Sequence, residues 1–228
     1  MHKQEMVKGV QWCVNSYRGK HGKEDWSLLK NIIPFKFKNT DGYIAEYYSS
    51  LVICFRGSKG DADWDDNFRF VQKTWDDVDP KVKIHAGFAS QYRDVMNYVK
   101  EIVPKYYEIY VVGHSLGGAL ATLCSYHIKK EMPDRNVVAI TFGSPRVGNP
   151  EFVKRYNRML SNNSARLVYR EDIVCKVPWK ITDPCSMFTY RHVKNKVQLG
   201  KRRGLIKRIV GVKDDHYPEK YLDSLLSM

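Results

Sequence analysis

Apolar residues are arranged along the chain in two recurring patterns. Helical spacing from Phe88 to Val103 predicts an amphipathic helix, and small and apolar residues from Ser115 toward Lys130 predict a second one. Short apolar runs predict strands at Gly42–Tyr48, Leu51–Arg56, Val82–His85, Ile109–Val112, Val137–Phe142 and Ala165–Arg170. Because strands alternate with helices, we expect an α/β fold with a mostly parallel central sheet and helices on both faces. The first two strands are predicted to form an antiparallel hairpin through Ser49-Ser50.

Length and composition predict one globular domain over residues 1–228. The chain has 228 residues, is 43% hydrophobic and shows no repeat or low-complexity tract. Its five cysteines are an odd number without C-x-x-C spacing, which favours a reducing compartment. No signal peptide or membrane-spanning run is evident. We therefore expect an intracellular, cytoplasmic protein.

The formal net charge of +13 is unevenly distributed. From Lys194 to Lys213 there are eight basic residues and no acidic one, with apolar residues interleaved. Such a basic amphipathic stretch predicts peripheral contact with an anionic membrane surface. A solvated loop and a nucleic-acid-binding patch are the competing interpretations. No nucleic acid is expected, because no nucleic-acid-binding motif accompanies the charge. The membrane-contact candidates are Lys201, Arg202, Arg203, Lys207 and Arg208.

The stretch Gly113-His114-Ser115-Leu116-Gly117-Gly118 joins a predicted strand to a predicted helix. A serine on a sharp strand-to-helix turn is typical of a nucleophile elbow, in which glycines permit a tight turn and close packing of the helix. Ser115 is therefore the candidate nucleophile.

A serine nucleophile needs a base, and the base needs an acid that orients it. In the α/β-hydrolase order the acid and then the histidine follow the serine. Glu171 and Asp172 end the predicted strand at 165–170, and Asp183 is a weaker candidate beyond it. Among the histidines, His127 lies about 18 Å along the helix from the serine and is excluded as the base. His192 and His216 both remain candidates at this point.

Several separated motifs, in the right order, resemble those of one family. They are Phe55-Arg56-Gly57-Ser58, Asp63-Trp64-Asp65-Asp66-Asn67-Phe68, His85-Ala86-Gly87-Phe88, Thr141 to Asn149, Asp172-Ile173-Val174 with Pro178, and Asp215-His216. From about Gly42 onward, the chain is similar to the class 3 lipases, the fungal-type triacylglycerol lipase family of α/β-hydrolases. Departures are Cys175, where family members often carry proline, and the short chain before Gly42.

The resemblance implies an α/β-hydrolase fold and hydrolysis of carboxylic esters of lipids, with no cofactor. Both acylglycerol lipases and phospholipases A1 are within the range of the family. It assigns Ser115 as nucleophile, His216 as general base and acid, and Asp172 as the residue that orients His216. The backbone N–H groups of Leu116 and Ser58 would form the oxyanion hole. A lipase-like protein that binds lipid without catalysis is the alternative.

The acidic segment Asp61 to Asp66 fails the EF-hand pattern, so no metal is expected. Read as a helix, it brings Trp64, Phe68 and Val71 to one face, as a small lid over an acyl pocket would need. An ordinary surface helix that packs on the core is the competing interpretation.

Overall fold

A computed structural model describes residues 1–18, 28–38, 40–57, 71–178, 189–201, 203–206 and 212–228. In chain order the helices are α1 (Lys3–Arg18), α2 (Ala86–Ile102), α3 (Leu116–Glu131), α4 (Pro150–Leu160) and α5 (Pro218–Leu226). The strands are β1 (Leu29–Phe37), β2 (Thr40–Tyr47), β3 (Ser50–Phe55), β4 (Gln72–Thr74), β5 (Lys83–His85), β6 (Glu108–His114), β7 (Asn136–Phe142), β8 (Ser164–Tyr169) and β9 (Lys196–Leu199).

A seven-stranded sheet in the order β1-β2-β3-β6-β7-β8-β9 forms the centre of the molecule. β1, β2 and β3 pair antiparallel, whereas every pair from β3 to β9 is parallel. The predicted α/β arrangement and the predicted first hairpin are both confirmed. The carboxyl ends of the parallel strands share one edge, where α/β proteins build their sites.

The two faces of the sheet support two separate apolar cores. Alternation along β3 sends Leu51, Ile53 and Phe55 to the core shared with α2 and α3. Val52 and Cys54 point to the opposite core, which is covered by α1 and α5. All five of these side chains are buried, as expected for a strand in the middle of a covered sheet.

Five elements were not predicted from the sequence: α1, β1, β4, α4 and β9. β1 and β9 are the two edge strands of the central sheet, and β1 buries only Leu29 and Phe35, so it lacks the apolar run of a central strand. The predicted strand at 82–85 does form, as β5. It pairs with β4 in a separate two-stranded sheet and does not join the central one.

In the described part of the chain, no helix is both long enough and apolar enough to cross a membrane.

Candidate active site

Ser115 occupies the turn between β6 and α3, and its backbone has a conformation that residues other than glycine rarely adopt. Its φ of 58° and ψ of −127° lie outside the ordinary regions, which costs on the order of 1–3 kcal/mol. The N–H of Ser115 donates to the carbonyl of Phe142 on β7, 3.0 Å away. The strained turn is thereby fixed to the neighbouring strand, and the predicted elbow geometry is present.

Two glycines allow the close packing that holds this turn. A Cβ at Gly113 would overlap the backbone of Gly117, and a Cβ at Gly117 would overlap the carbonyl of Phe55 on β3. The start of α3 therefore lies directly against the strands beneath it. The N–H of Leu116, among the first in α3, has no acceptor within the helix. It lies at the positive end of the helix dipole, which favours a negative charge there.

Asp172 and His216 are joined by a hydrogen bond. Nδ1 of His216 lies 2.8 Å from Oδ2 of Asp172, whose side chain is fully buried. Oδ1 of Asp172 accepts from the N–H of Val174 at 2.8 Å, and Oδ2 also accepts from the hydroxyl of Tyr221 on α5. These hydrogen bonds hold the carboxylate in one orientation.

Backbone pairing brings the segment that carries His216 to the carboxyl end of β8. The N–H of Val212 donates to the carbonyl of Glu171 at 2.8 Å, and residues 213–216 then form a 3-10 turn. The buried side chain of Asp215 accepts from the N–H of Glu171 through Oδ2, at 3.1 Å. Thus a polar turn from the C-terminal part of the chain is attached directly beside Asp172.

The imidazole of His216 lies next to the elbow. Its ring stacks on the ring of His114, the residue before Ser115, with centroids 4.6 Å apart and an interplanar angle of 29°. Gly143, with φ of 59°, follows β7, and a Cβ there would lie 2.9 Å from Cε1 of His216 and 3.1 Å from Oδ2 of Asp172. A side chain at position 143 would therefore push the histidine and the carboxylate away from the elbow.

The other histidines that follow Ser115 have different partners. Nε2 of His192 lies 2.6 Å from the carbonyl of Cys175, and burial together with Arg166 holds the pKa of His192 well below its usual value. Nδ1 of His127 lies 2.8 Å from the hydroxyl of Tyr92, and burial lowers the pKa of His127 to about 4. Among the acids, the side chain of Glu171 lies 3.7 Å from the amine of Lys176. Asp183 lies outside the described residues.

The remaining candidates are only partly described. Gly57, which precedes Ser58, passes so close to the elbow that a Cβ there would lie 2.9 Å from Cβ of Ser115. Ser58 itself and the lid candidates Trp64 and Phe68 lie outside the described residues. Within the described ranges no group of three or more histidine, cysteine, aspartate or glutamate side chains could hold a metal ion.

The basic segment, residues 194–213, contacts the His216 turn through Arg203. Nη2 of Arg203 lies 3.1 Å from Oδ1 of the buried Asp215, so this cation is already engaged within the protein. Lys201 is exposed, and Leu205 and Ile206 are 69% and 78% exposed. The other membrane-contact candidates, Arg202, Lys207 and Arg208, lie outside the described residues.

Sequence reasoning missed two residues that contact the site. Tyr221 bonds Asp172, and Tyr17 on α1 lies 2.8 Å from the ring of His114. The signal for α1 was available, because Met6, Val10, Cys13 and Tyr17 recur at helical spacing. No local pattern around either tyrosine indicates which group its hydroxyl contacts.

Comparisons with known sequences match this chain to a lipase family and to individual lipases and a phospholipase. The sequence model of the family "Lipase (class 3)" matches residues 52–181. A lipase of Rhizomucor miehei is 34% identical over 187 residues, which cover 76% of this chain and 49% of the relative. Phospholipase A1-Igamma1 of Arabidopsis thaliana is 35% identical over 129 residues, covering 44% of this chain and 25% of the relative. The chain therefore spans about half or less of the length of these curated relatives.

Among solved structures, the chain is similar to a triacylglycerol lipase in which a serine protease triad forms the catalytic centre. The TM-score is 0.73 at 27% identity, and the match covers 87% of this chain and 80% of the other. The structural similarity thus extends over most of the chain.

Proposed function

The chain belongs to the class 3 lipase family, and from that premise we propose that it hydrolyses carboxylic ester bonds of lipids through Ser115, His216 and Asp172. The observation that supports this most strongly is the hydrogen bond from His216 to the buried carboxylate of Asp172, beside the strained turn of Ser115. Ser115 follows β6, Asp172 follows β8, and His216 lies in the 3-10 turn that precedes α5.

The proposed reaction proceeds through an acyl-enzyme. Oγ of Ser115 attacks the ester carbonyl while Nε2 of His216 accepts the serine proton. Asp172 accepts the Nδ1–H of His216, which leaves Nε2 as the base and stabilises the imidazolium as it forms. The C–O bond to the alcohol then breaks, and His216 returns the proton to the leaving oxygen. Water then attacks the acyl-enzyme while His216 accepts its proton. As the bond from the acyl carbon to Oγ breaks, His216 returns that proton to Ser115, and the fatty acid is released. No cofactor takes part.

The negative charge that develops on the carbonyl oxygen needs donors already in position. The N–H of Leu116, at the start of α3, is one proposed donor, and Ser58 is the second. Removing one such donor typically costs 2.7–4 kcal/mol of transition-state stabilisation, by the general rule for oxyanion holes.

Labelling with a fluorophosphonate probe, together with hydrolysis of p-nitrophenyl esters of graded chain length, tests the proposal. We expect the wild type to be labelled at Ser115. Ser115→Ala should lose both labelling and at least about 10⁴-fold in turnover. Ser125→Ala is the matched control, because Ser125 is a buried serine on α3 that donates to the carbonyl of Ala121. Turnover retained by Ser115→Ala would overturn the mechanism, and an unlabelled, inactive wild type would favour a lipase-like binding protein.

A second candidate function is that of a phospholipase A1 on anionic membranes. Lys201, Leu205 and Ile206 are exposed, and the ion pair from Arg203 to Asp215 brings this segment next to the His216 turn. Tyr217, beside His216 in sequence, is 57% exposed. The similarity to a phospholipase A1 supports the same assignment.

Binding to liposomes of phosphatidylcholine, with and without phosphatidylglycerol and across a salt series, separates the two functions. Each cation near an anionic surface contributes about 1 kcal/mol, so Lys201→Gln should weaken binding about fivefold at low salt. Lys105→Gln is the control, because this exposed lysine lies before the amino end of β6, whereas Ser115 follows the carboxyl end of the same strand. Equal, salt-insensitive binding to neutral liposomes would dismiss the anionic-membrane proposal and leave the acylglycerol lipase.

A further inference from the structure

A line of three hydrogen bonds runs from the end of β3 to the turn that carries His216. The N–H of Gly57 lies 2.8 Å from the hydroxyl of Tyr17, which in turn lies 2.8 Å from Nδ1 of His114. Nε2 of His114 lies 2.9 Å from the backbone carbonyl of His216. The line passes behind Ser115, since His114 precedes it and the backbone at Gly57 packs against it.

The donors and acceptors along this line have one consistent direction. A carbonyl can only accept, so Nε2 of His114 carries the proton and Nδ1 is the acceptor. The hydroxyl of Tyr17 therefore donates to Nδ1 and accepts from the N–H of Gly57. Burial, together with the neighbouring His216, holds the pKa of His114 well below its usual value. His114 is therefore a weak base, and both of its ring nitrogens already have partners, so it does not compete with His216 for the proton of Ser115.

These three hydrogen bonds connect elements whose relative positions the proposed reaction depends on. Tyr17 is on α1, Gly57 precedes the oxyanion candidate Ser58, and His114 ends β6 before Ser115. The stacked rings of His114 and His216 also restrict the plane of the His216 imidazole. A displacement of either side by about 1 Å is enough to cost a reaction of this type about 100-fold.

We infer that Tyr17 and His114 are positioning residues for the ester hydrolysis. They hold the backbone before the oxyanion hole and the turn of the catalytic histidine at a fixed separation across Ser115. This inference rests on the proposed function, because it assigns Ser115 and His216 their catalytic roles. It goes beyond that function by giving α1, which lies on the far side of the sheet from α2 and α3, a part in the reaction.

The protein contains its own control for this inference. Tyr92 on α2 and His127 on α3 form a second buried pair with the same geometry, hydroxyl to Nδ1 at 2.8 Å. Tyr17→Phe and Tyr92→Phe therefore each remove one hydroxyl from a tyrosine–histidine hydrogen bond. Only the first pair contacts the elbow and the His216 turn.

The decisive measurement is steady-state hydrolysis of a p-nitrophenyl ester, normalised to active sites titrated with the fluorophosphonate. We expect Tyr17→Phe to lower kcat per titrated site by about 10-fold or more while KM changes less than about twofold. Tyr92→Phe should keep kcat within about threefold of the wild type, even if its melting temperature falls as much as that of Tyr17→Phe. A merely structural role of Tyr17 would reduce the titrated fraction and the melting temperature but leave kcat per site unchanged, and that result overturns the inference.

Two variants of His114 provide a second readout. Gln can place a donor near the position of Nε2 and retain the bond to the carbonyl of His216, whereas Leu retains neither bond. The expected order of kcat per titrated site is wild type, then His114→Gln, then His114→Leu. Equal kcat in all three contradicts the inference. Failure of the proposed function itself would be seen separately, as a wild type that is not labelled at Ser115, and both proposals would then fall.

Discussion

The elbow and the C-terminal segment contribute one proposed catalytic residue each, yet they differ in burial and in the contacts that position that residue. From Ile109 to Ile128 every residue is buried except Leu116, and glycine contacts between adjacent elements fix the turn. Between Lys196 and His216 most described residues are exposed or half-buried, and Asp215 and Leu199 are the buried ones. The nucleophile is thus positioned by local packing, whereas the histidine is positioned by a few long-range polar contacts.

The two regions are therefore sensitive to different kinds of substitution. A side chain added at the elbow glycines Gly113 or Gly117 must disturb backbone packing, so its main effect falls on the stability of the fold. A substitution around His216 must disturb hydrogen bonds to Asp172 or Asp215, so its effect falls first on activity or on the local turn.

The largest expected effect is on turnover, from Asp172→Asn. Asparagine can no longer accept the Nδ1–H of His216 reliably or stabilise the imidazolium, so kcat should fall by about 10⁴-fold. The measurement is ester hydrolysis at saturating substrate, with circular dichroism as a check that the fold is retained.

Glu171→Gln is the matched control for Asp172→Asn. Glu171 is adjacent in sequence and buried, but its carboxylate faces Lys176. We expect its kcat to remain within about 10-fold of the wild type. A 10⁴-fold loss in Glu171→Gln together with an active Asp172→Asn would transfer the acid role to Glu171.

The next effect is on stability, from Gly113→Ala. The added Cβ overlaps the backbone of Gly117, which itself lies against β3 and has no room to retreat. We expect the free energy of unfolding to fall by about 3 kcal/mol or more. Gly204→Ala, where nothing lies within 4 Å of the added Cβ, should stay within about 0.5 kcal/mol. Urea titrations of both variants decide, and equal stabilities would mean that elbow packing does not control the fold.

The same division explains what could be predicted from the sequence. The elbow, the first hairpin and the parallel core were predictable because each depends on neighbours in the chain: apolar runs, spacing and glycines. His192 and His216 could not be separated by local pattern, since both follow the strand that ends near Asp172. The family resemblance chose His216, and the structure brings its ring to Asp172.

Contacts between distant segments were beyond the sequence pattern. Tyr17 and His114 are separated by 97 positions, and Tyr221 and Asp172 by 49. Nothing near any of these residues indicates its partner. Edge strands were missed for a different reason, because β1 is largely exposed and its pairing is carried by backbone groups that no side-chain pattern reveals.

Two buried histidines, His85 just before α2 and His127 on α3, predict that the protein loses stability at acid pH. Burial lowers the pKa of both His85 and His127 to about 4, below the value near 6.5 in the unfolded chain. The unfolded state therefore binds more protons between these values, and stability falls as the pH drops from about 6.5 to about 4. Each histidine contributes at most about 3 kcal/mol to that loss.

Urea unfolding at a series of pH values measures this dependence. His127→Gln should show a smaller decline in the free energy of unfolding between pH 6.5 and 4 than the wild type. His2→Gln, at an exposed position, should follow the wild type. If His127→Gln declines as steeply as the wild type, burial of this histidine does not govern the acid response.

The smallest effect is expected in the C-terminal segment, from Arg203→Gln. Asp215 is fully buried and would keep the N–H of Glu171 as a donor but lose its cation. Because the Arg203 side chain is 28% exposed, solvent screens the pair, and we expect a loss of about 1–2 kcal/mol. Lys201→Gln removes an exposed cation of the same segment and should change stability by less than about 0.5 kcal/mol.

A double-mutant cycle isolates the ion pair from the other effects of removing Arg203. If the ion pair holds the turn, the single variant Asp215→Asn should already be less stable than the wild type. The double variant that also carries Arg203→Gln should lose little more stability, with a coupling energy of about 1 kcal/mol. Additive losses would mean that the His216 turn is held beside Asp172 by the backbone pairing of Val212 with Glu171 and not by charge. The comparison with the elbow would then change, since both catalytic segments would be positioned by backbone contacts.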